Sequence, residues 1–245
     1  MNRTFVIGDI HGALRALKEL LELIQPRPED LLIFLGDYVD SWSEAAQTVD
    51  YLIELKSQCR CIFLRGNHDK WCEDWLAGRA IKEELIWLQS GGITTQQSYA
   101  NYPAEQRRRH SEFFASLINY HIDNENRLFI HAGFASMHGP LKEHYETNYY
   151  WDRSLWEMAL SMDSSLPVDH PFYPKRLKNF REIYIGHTPT TNYGIETPVN
   201  RANLWNLDTG AGFGKRLTAL NIDTKEFLQS TPVAKLYPGE AGRNR

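Results

Sequence analysis

Acidic, imidazole and amide side chains recur in five short Gly-containing motifs, each at the end of an apolar run or directly after it. Carboxylate, imidazole and amide oxygen together form a donor set suited to borderline divalent cations such as manganese, iron or zinc. Cations of this kind activate water and bind phosphate oxygens, so hydrolysis is the chemistry to consider. The motifs are Gly8-Asp9-Ile10-His11-Gly12, Gly36-Asp37-Tyr38-Val39-Asp40, Arg65-Gly66-Asn67-His68-Asp69, Phe129-Ile130-His131-Ala132-Gly133 and Ile185-Gly186-His187-Thr188-Pro189.

Each motif taken alone has a simpler interpretation, since an Asp or His beside Gly after a strand is usually a turn residue or a helix cap. Because all five motifs occupy the same position relative to an apolar run, one shared site is favoured over five unrelated turns. Two cations roughly 3.5–4 Å apart would need a carboxylate between them. Asp37 is central in the series and is the candidate bridge. The chain has no thiolate cluster, which argues against a closed structural zinc site.

The apolar runs that precede these motifs are short and β-like, and they alternate with helical patterns early in the chain. This alternation predicts a parallel α/β sheet, in which ligands bind where the carboxyl ends of the strands converge. The predicted strands are Thr4–Ile7, Leu31–Leu35, Cys61–Leu64, Arg127–Ile130, Glu182–Ile185, Asn203–Leu207, Leu217–Ile222 and Glu226–Leu228.

Two helices are predicted between the first three strands. Leu14 to Ile24 has apolar residues at helical spacing and ends before Pro26, and a second helix runs from Ser43, as N-cap, to about Lys56. The stretch from Trp71 to Leu117 is predicted to be mostly helical, broken near Gly91 and Pro103, and to form an insertion or cap.

We expect one domain over residues 1–245, with a frayed tail from residue 238. A formal net charge of −4 gives no reason to expect binding to nucleic acid or to a membrane surface. No signal peptide or membrane span is evident in the sequence, and the three cysteines are too few and scattered for a disulfide framework. We therefore expect a cytoplasmic protein.

The ordered motifs GDIHG, GDYVD, RGNHD, IHAG and GHTP resemble those of the calcineurin-like metallophosphoesterase superfamily. Within it they are most similar to the phosphoprotein phosphatases of small bacterial and phage type, from about Thr4 to Leu220. The ending GHTP, without a second histidine, also resembles the symmetrical dinucleoside tetraphosphate hydrolases. The resemblance implies an α/β fold, a four-layer α/β/β/α sandwich with a helical insertion.

The resemblance also implies residue roles. The first metal would bind Asp9, His11 and Asp37, and the second would bind Asp37, Asn67, His131 and His187. His68 would be the general acid, oriented by Asp40. Arg65 and Arg153 would bind phosphate, although a surface ion pair with Asp152 or Glu157 is the structural alternative for Arg153. Manganese is the expected metal, with iron or zinc as alternatives.

The implied function is a serine/threonine protein phosphatase in which a metal-bridging hydroxide attacks phosphorus. The alternative is a hydrolase of dinucleoside tetraphosphates or of another small phosphorylated metabolite, so the expected partner is a phosphoprotein or a small phosphorylated substrate. One departure stands out: Ser41-Trp42 follows Asp40, where the protein phosphatases usually have Arg-Gly. Loss of this arginine is the only support for a third possibility, a non-catalytic binding module.

Overall fold

The strands of the protein form two five-stranded mixed sheets in the computed structural model, which describes residues 2–243. Their order is β10-β9-β1-β2-β3 in the first sheet and β4-β5-β6-β8-β7 in the second. The strands are β1 Thr4–Ile7, β2 Leu31–Phe34, β3 Arg60–Phe63, β4 Tyr120–Ile122, β5 Arg127–Ile130, β6 Glu182–Ile185, β7 Val199–Arg201, β8 Leu204–Asn206, β9 Thr218–Asn221 and β10 Phe227–Gln229.

The α-helices of the described chain flank these sheets. The three parallel strands β1, β2 and β3 are joined by the first two helices, as the alternating sequence pattern predicts. The helices are α1 Leu14–Ile24, α2 Ala45–Leu55, α3 Asn67–Leu76, α4 Glu84–Trp87, α5 Ile93–Ser98, α6 Ala104–Ala115, α7 Asn148–Trp151, α8 Ser154–Ser161, α9 Lys175–Lys178 and α10 Val233–Leu236. None of the helices in residues 2–243 is long and apolar enough to cross a bilayer.

Alternation of side chains along the strands produces a four-layer α/β/β/α arrangement. In β1, Phe5 and Ile7 pack with the helices on the outer face of the first sheet, whereas Val6 packs toward the second sheet. In β5, Phe129 faces inward and packs with Val6, while Leu128 and Ile130 join the core under α8 and α9. The sheets therefore meet face to face over an apolar layer, and each is covered by helices on its other side.

The predicted strands are all present, with ends within one residue of the expected ones, but two further strands were missed. β4 and β7 have three residues each and lie at the two edges of the second sheet. Neither is a continuous apolar run: β4 is half-buried throughout, and β7 is buried at one residue only. An edge strand of this kind carries little hydrophobic signal.

The predicted N-cap at Ser43 is wrong. Helix α2 begins at Ala45, and no side chain caps its N-terminus. The hydroxyl of Ser43 instead donates to Glu240 Oε1 at 2.7 Å, and its backbone N–H donates to Glu240 Oε2 at 3.1 Å. Ser43 therefore hydrogen-bonds to the C-terminal segment and not to the N-terminus of α2.

Residues 71–117 are mostly helical, as predicted. The break near Gly91 is a kinked turn over Leu88–Gly92, in which Gly91 leaves the helical region with a positive φ of 108°. Pro103 precedes the first residue of α6. Trp75, Tyr99 and Phe113 from this stretch pack into the same core cluster as α1 and α2, so these helices extend the outer layer of the first sheet.

An ion pair at the amino-terminal edge of the first sheet gives a prediction about acid stability. Burial alone would raise the pKa of Asp30, but hydrogen bonds from Arg3 and from the backbone N–H of Arg27 lower it to about 2. Because the folded pKa lies below the unfolded one, this stabilisation is present above about pH 4 and is lost as the pH falls toward 2. We expect Asp30→Asn to lower the free energy of unfolding by roughly 2 kcal/mol at pH 7.

Urea denaturation at pH 7, 5 and 3 measures this difference. The gap between wild type and Asp30→Asn should shrink at pH 3. The neighbouring Glu29 is exposed, so Glu29→Gln is the matched control and should be close to wild type throughout. A gap of equal size at all three pH values would contradict the electrostatic origin.

Candidate active site

The five polar motifs converge at one edge of the two sheets, as predicted. Asp9 follows β1, Asp37 follows β2, and Asn67 begins α3 shortly after β3. His131 follows β5, and His187 follows β6, both in the second sheet. All of these side chains are buried. Each sheet therefore contributes part of the site, and the site exists only when the sheets are packed together.

Asp37 lies at the centre of the cluster, where the sequence predicts a bridging carboxylate. Its Oδ2 is 3.6 Å from His11 Nε2 on one side and 3.5 Å from His131 Nε2 on the other. Its Oδ1 accepts a hydrogen bond from the backbone N–H of His68 at 3.0 Å. One oxygen is thus held by the backbone, and the other is shared between two imidazoles.

Backbone carbonyls fix which imidazole nitrogens face this centre. His11 Nδ1 lies 3.2 Å from the carbonyl oxygen of Val39, and His131 Nδ1 lies 2.8 Å from that of Leu35. A protonated Nδ1 on each ring leaves the Nε2 lone pair directed at Asp37, as in metal-ligating histidines. Asn67 Oδ1 is 3.3 Å from His131 Nε2 and 3.0 Å from His187 Nδ1, so it lies within the second half of the cluster.

The donor atoms fall into two groups around Asp37, each within 4.8 Å. One contains His11, Asp37 and His68, and the other contains Asp37, His131 and His187. The second group matches three of the predicted ligands of the second metal. In the first group His68 takes the place that the sequence assigns to Asp9, whose Oδ2 accepts from the backbone N–H of His187 at 3.0 Å.

Two buried ligand atoms of the predicted metal centre lack a hydrogen-bond partner among the described residues. They are Asp9 Oδ1 and His187 Nε2, and both belong to predicted metal ligands. A buried polar atom without a partner costs about 1–3 kcal/mol, so such atoms call for an explanation. Coordination of a cation would satisfy both of them, and the residues therefore fit a divalent metal centre.

The pKa shifts in the cluster also indicate that a bound cation is needed. Burial raises the pKa of Asp37 to about 7 and that of Asp208 to about 7, and burial followed by repulsion from Asp208 raises the pKa of Asp9. Burial lowers the pKa of His131 to about 4, so this imidazole is neutral at pH 7 and free to coordinate. Carboxylates this close together and this deeply buried ionise readily only beside a cation.

Asp69, the last residue of its motif, shapes the loop that carries Asp37. Its carboxylate accepts hydrogen bonds from the backbone N–H groups of Asp37 at 2.7 Å, Tyr38 at 2.8 Å and Gly66 at 2.8 Å. Asp69 therefore joins the loop after β2 to the loop after β3.

The backbone at the site is strained. Several non-glycine residues there have a positive φ, a region that costs L-residues about 1–2 kcal/mol each. They are His11 at 54°, Asp37 at 56°, Asp40 at 73°, Ser41 at 75° and His187 at 66°.

The predicted acid–orienter pair is in contact. His68 Nδ1 lies 2.5 Å from Asp40 Oδ2. Asp40 is also held from the helical stretch, since Thr95 Oγ1 donates to its Oδ1 at 2.6 Å and Trp87 Nε1 donates to its Oδ2 at 3.0 Å. Burial raises the pKa of Asp40, and burial followed by the nearby charge of Arg243 lowers the pKa of His68. No pattern in the sequence connects Thr95 or Trp87 with this pair.

The two predicted phosphate-binding arginines differ in placement. Arg153 is exposed and lines the central cavity, and in the described chain it forms no ion pair with Asp152 or Glu157. The Asp152 carboxylate instead accepts from Ser154 at the start of α8. Arg65 is not among the cavity-lining residues: it pairs with Glu73 at 3.4 Å and donates to the carbonyl oxygen of Phe114.

A third arginine enters the site from the C-terminus, where the sequence predicted a frayed tail. That prediction is wrong up to Arg243, and residues 244 and 245 lie outside the described residues. The Arg243 guanidinium contacts His68 Nε2 and lies 3.4 Å from His11 Nε2. Nothing in the small, polar composition of the tail predicts this contact.

Asp208 is a further site residue that received no sequence-based role. It is buried, close enough to Asp9 to raise the pKa of that carboxyl, and accepts from the backbone N–H of Gly210 at 3.0 Å. Its signal in the sequence was an Asp beside Thr and Gly directly after β8, in Leu207-Asp208-Thr209-Gly210.

Two cavities meet at the cluster. The central one has a volume of about 400 Å³ and is lined by His68, Arg153 and His187 among others. The second, of about 580 Å³, lies beside it and is lined by Lys70, Lys82 and Tyr150 among others. Both are lined by Asn67, Trp71, Ile86 and Trp151, so the second cavity extends the first along an aromatic wall.

Metal binding at this cluster is testable without a substrate. We expect Mn²⁺ to raise the melting temperature of the wild-type protein and a chelator to reverse the shift. Asp37→Asn removes the shared anion, so its Mn²⁺ affinity should fall by about a hundredfold in calorimetric titration. Asp169 is exposed and remote from the cluster, and Asp169→Asn should bind like wild type. Wild-type affinity in Asp37→Asn would rule out a centre built on this carboxylate.

Comparisons with known proteins agree with this geometry. The family model for calcineurin-like phosphoesterases matches residues 3–209. A bis(5'-nucleosyl)-tetraphosphatase PrpE [asymmetrical] from Bacillus anthracis is 28% identical over 239 residues, covering 91% of this chain and 92% of that protein. The protein of the same name from Oceanobacillus iheyensis is 24% identical over 238 residues, covering 91% and 90%.

Solved structures show the same fold. A crystal structure whose protein is provisionally named a diadenosine tetraphosphatase aligns with a TM-score of 0.61 at 16% identity, covering 93% of this chain and 92% of that one. A serine/threonine phosphatase from Saccharomyces cerevisiae aligns with a TM-score of 0.64 at 14% identity, covering 100% and 84%. Because the family model spans most of the sequence and its motifs form the buried cluster, this chain belongs to the calcineurin-like phosphoesterase family.

Proposed function

We propose that this protein is a two-metal hydrolase of dinucleoside polyphosphates. The observation that carries the proposal is the second cavity beside the metal cluster. A phosphomonoester on a protein surface needs only the central cavity, whereas a dinucleotide places a nucleoside beyond its phosphate chain. The second cavity has the size typical of small-molecule sites, and Trp71 and Trp151 give it an aromatic wall.

The chemistry of this cavity suits a nucleoside and its phosphates. Aromatic rings stack on bases, a contact worth about 1–3 kcal/mol per base. Trp71 and Trp151 pack edge to face at 5.0 Å between ring centres, which fixes their orientation. Lys82 on the cavity wall adds a positive charge for a phosphate chain. A cavity of this size beside the metal cluster, lined largely by residues of the helical stretch, leaves room for a nucleoside that a phosphorylated protein side chain does not need.

The relatives support the same substrate class. Those described above are named for cleavage of bis(5'-nucleosyl) tetraphosphates, and they cover nearly the whole chain. From the motifs alone the protein phosphatase came first and the dinucleotide hydrolase second; the relatives and the second cavity favour the reverse order. The similarity to a yeast serine/threonine phosphatase, at 14% identity, concerns the fold alone.

The residues have defined tasks in this proposal. Asp9, His11, Asp37, Asn67, His131 and His187 would hold the cations, which when bound activate water and neutralise phosphate oxygens. Asp40 fixes His68 through Nδ1, so that Nε2 faces the cavity and delivers a proton to the oxygen that leaves phosphorus. Arg153 binds phosphate oxygens through its planar guanidinium. The aromatic wall excludes water from one side of the substrate.

The substrate class is tested by direct competition. Mn²⁺-loaded protein receives diadenosine tetraphosphate and a phosphothreonine peptide together, and we expect nucleotide products to form first. ATP with AMP would indicate asymmetrical cleavage, and ADP alone would indicate symmetrical cleavage. His68→Asn should retain Mn²⁺ binding and lose at least about a hundredfold in rate, which also controls for contaminating phosphatases. Preferential release of phosphate from the peptide would overturn the proposal.

The second cavity can be tested separately through Ile86. This side chain is 54% exposed and lines both cavities, so Ile86→Ala should fold normally and lose apolar contact with the nucleoside. We expect KM for diadenosine tetraphosphate to rise about fivefold, and KM for p-nitrophenyl phosphate, which uses only the central cavity, to rise much less. The adjacent Leu85 is 75% exposed and lines neither cavity, so Leu85→Ala is the matched control. Equal effects of the two variants would place the nucleoside elsewhere.

A further inference from the structure

The loop after β2 lacks a basic side chain at the place where it passes the central cavity. Ser41 is buried, is not among the lining residues, and has no hydrogen-bond partner for its hydroxyl among the described residues. The kinked turn over Leu88–Gly92 covers it, because a Cβ atom on Gly91 would lie only 2.3 Å from the backbone nitrogen of Ser41. This loop therefore offers no guanidinium to an anion in the cavity.

The C-terminal tail packs on that same loop. The Glu240 carboxylate accepts from both the backbone N–H and the hydroxyl of Ser43. Gly242 lies flat against Trp42, with a positive φ of 58°, and a Cβ there would come within 2.7 Å of the indole ring. The backbone N–H of Arg243 donates to the carbonyl oxygen of Gly212 at 3.0 Å. Contacts with the loop after β2 and with Gly212 thus fix the place where the tail enters the site.

The Arg243 guanidinium is held within the central cavity. It lies over the ring of Phe213, 5.2 Å from the ring centre, and lines the same cavity as Arg153. No carboxylate among residues 2–243 forms an ion pair with it within 4.0 Å. The guanidinium is half-buried, and its charge opposes the burial-driven rise in the pKa of Asp37 and of Asp40 from beyond ion-pair distance. Its hydrogen-bond donors face the nitrogens at which a cation and a leaving oxygen would be expected.

We propose that Arg243 is a phosphate-binding residue, which the tail delivers to the cavity in place of a side chain at position 41. This inference rests on the proposed function to the extent that the site binds phosphate. A cation at His11 and a proton on His68 Nε2 would each displace the guanidinium from its present acceptors. The oxygens of a phosphate in the same cavity then become its nearest acceptors, and a planar guanidinium matches two of them.

Phosphate affinity tests the proposal without turnover. Wild type, Arg243→Ala, Arg243→Lys and the control Arg201→Ala are loaded with Mn²⁺ and titrated with inorganic phosphate by calorimetry. Arg201 is exposed and remote from the cavity, so its removal changes the net charge equally. We expect Arg243→Ala to weaken phosphate binding about tenfold or more, since a charge-assisted contact is lost. Arg243→Lys should recover part of the affinity, and Arg201→Ala should match wild type.

Manganese titration of the same variants separates a phosphate contact from a structural effect. Arg243→Ala should bind Mn²⁺ at least as tightly as wild type, because a positive charge leaves the site. Unchanged phosphate affinity, or a loss of Mn²⁺ binding in Arg243→Ala, would overturn the inference. If wild type binds phosphate through Arg243 but does not cleave dinucleotides, the proposed substrate fails while the role of Arg243 stands.

Discussion

One buried carboxylate joins the two loops on which the candidate site is built. Asp69 receives the backbone N–H groups of Asp37, Tyr38 and Gly66, and thereby fixes the loop after β2 against the start of α3. Asn67 and His68 are the first residues of that helix, so their positions relative to Asp37 depend on the same carboxyl group. Burial and the neighbouring Asp37 raise the pKa of Asp69 to about 7, and the hydrogen bonds from the backbone N–H groups of Gly66 and Tyr38 oppose that rise. The central carboxylate is therefore positioned by a second carboxylate that itself faces away from the cavity.

The remaining ligands reach this centre only because two sheets pack face to face. Val6 and Phe129 belong to the apolar layer between the sheets, and the predicted metal ligands lie one to four residues beyond the ends of their strands. His131 illustrates the connection, since it follows a strand of the second sheet and bonds through Nδ1 to Leu35 in the first. The positions of the ligand atoms at the edge of the sheets therefore depend on the apolar packing between the sheets. Neither sheet alone contains both groups of donor atoms.

The sequence predicted those features that depend on local pattern. Apolar runs located the central strands, and the order of the motifs brought Asp37, His131 and His187 to one edge, where the structure has them. The features it missed depend on contacts between distant segments. Thr95 and Trp87 orient Asp40 across about 50 residues of chain, and Arg243 reaches His11 from the far terminus. In this structure Arg65, which its motif assigns to phosphate, pairs with Glu73 on the next helix.

The left-handed backbone at His11, Asp37, Asp40 and His187 has a consequence for how this protein can change over time. Each of these residues adds conformational strain, and the buried carboxylates beside them add repulsion, so the site subtracts from the stability that the apolar layers supply. Substitutions that relieve this strain and repulsion without leaving buried polar groups unpaired would make the protein more stable and less capable of chemistry. Without selection for activity, mutations of this kind would accumulate and produce more stable, inactive descendants with the same fold. A chain that keeps all of these residues therefore carries a stability cost at the site.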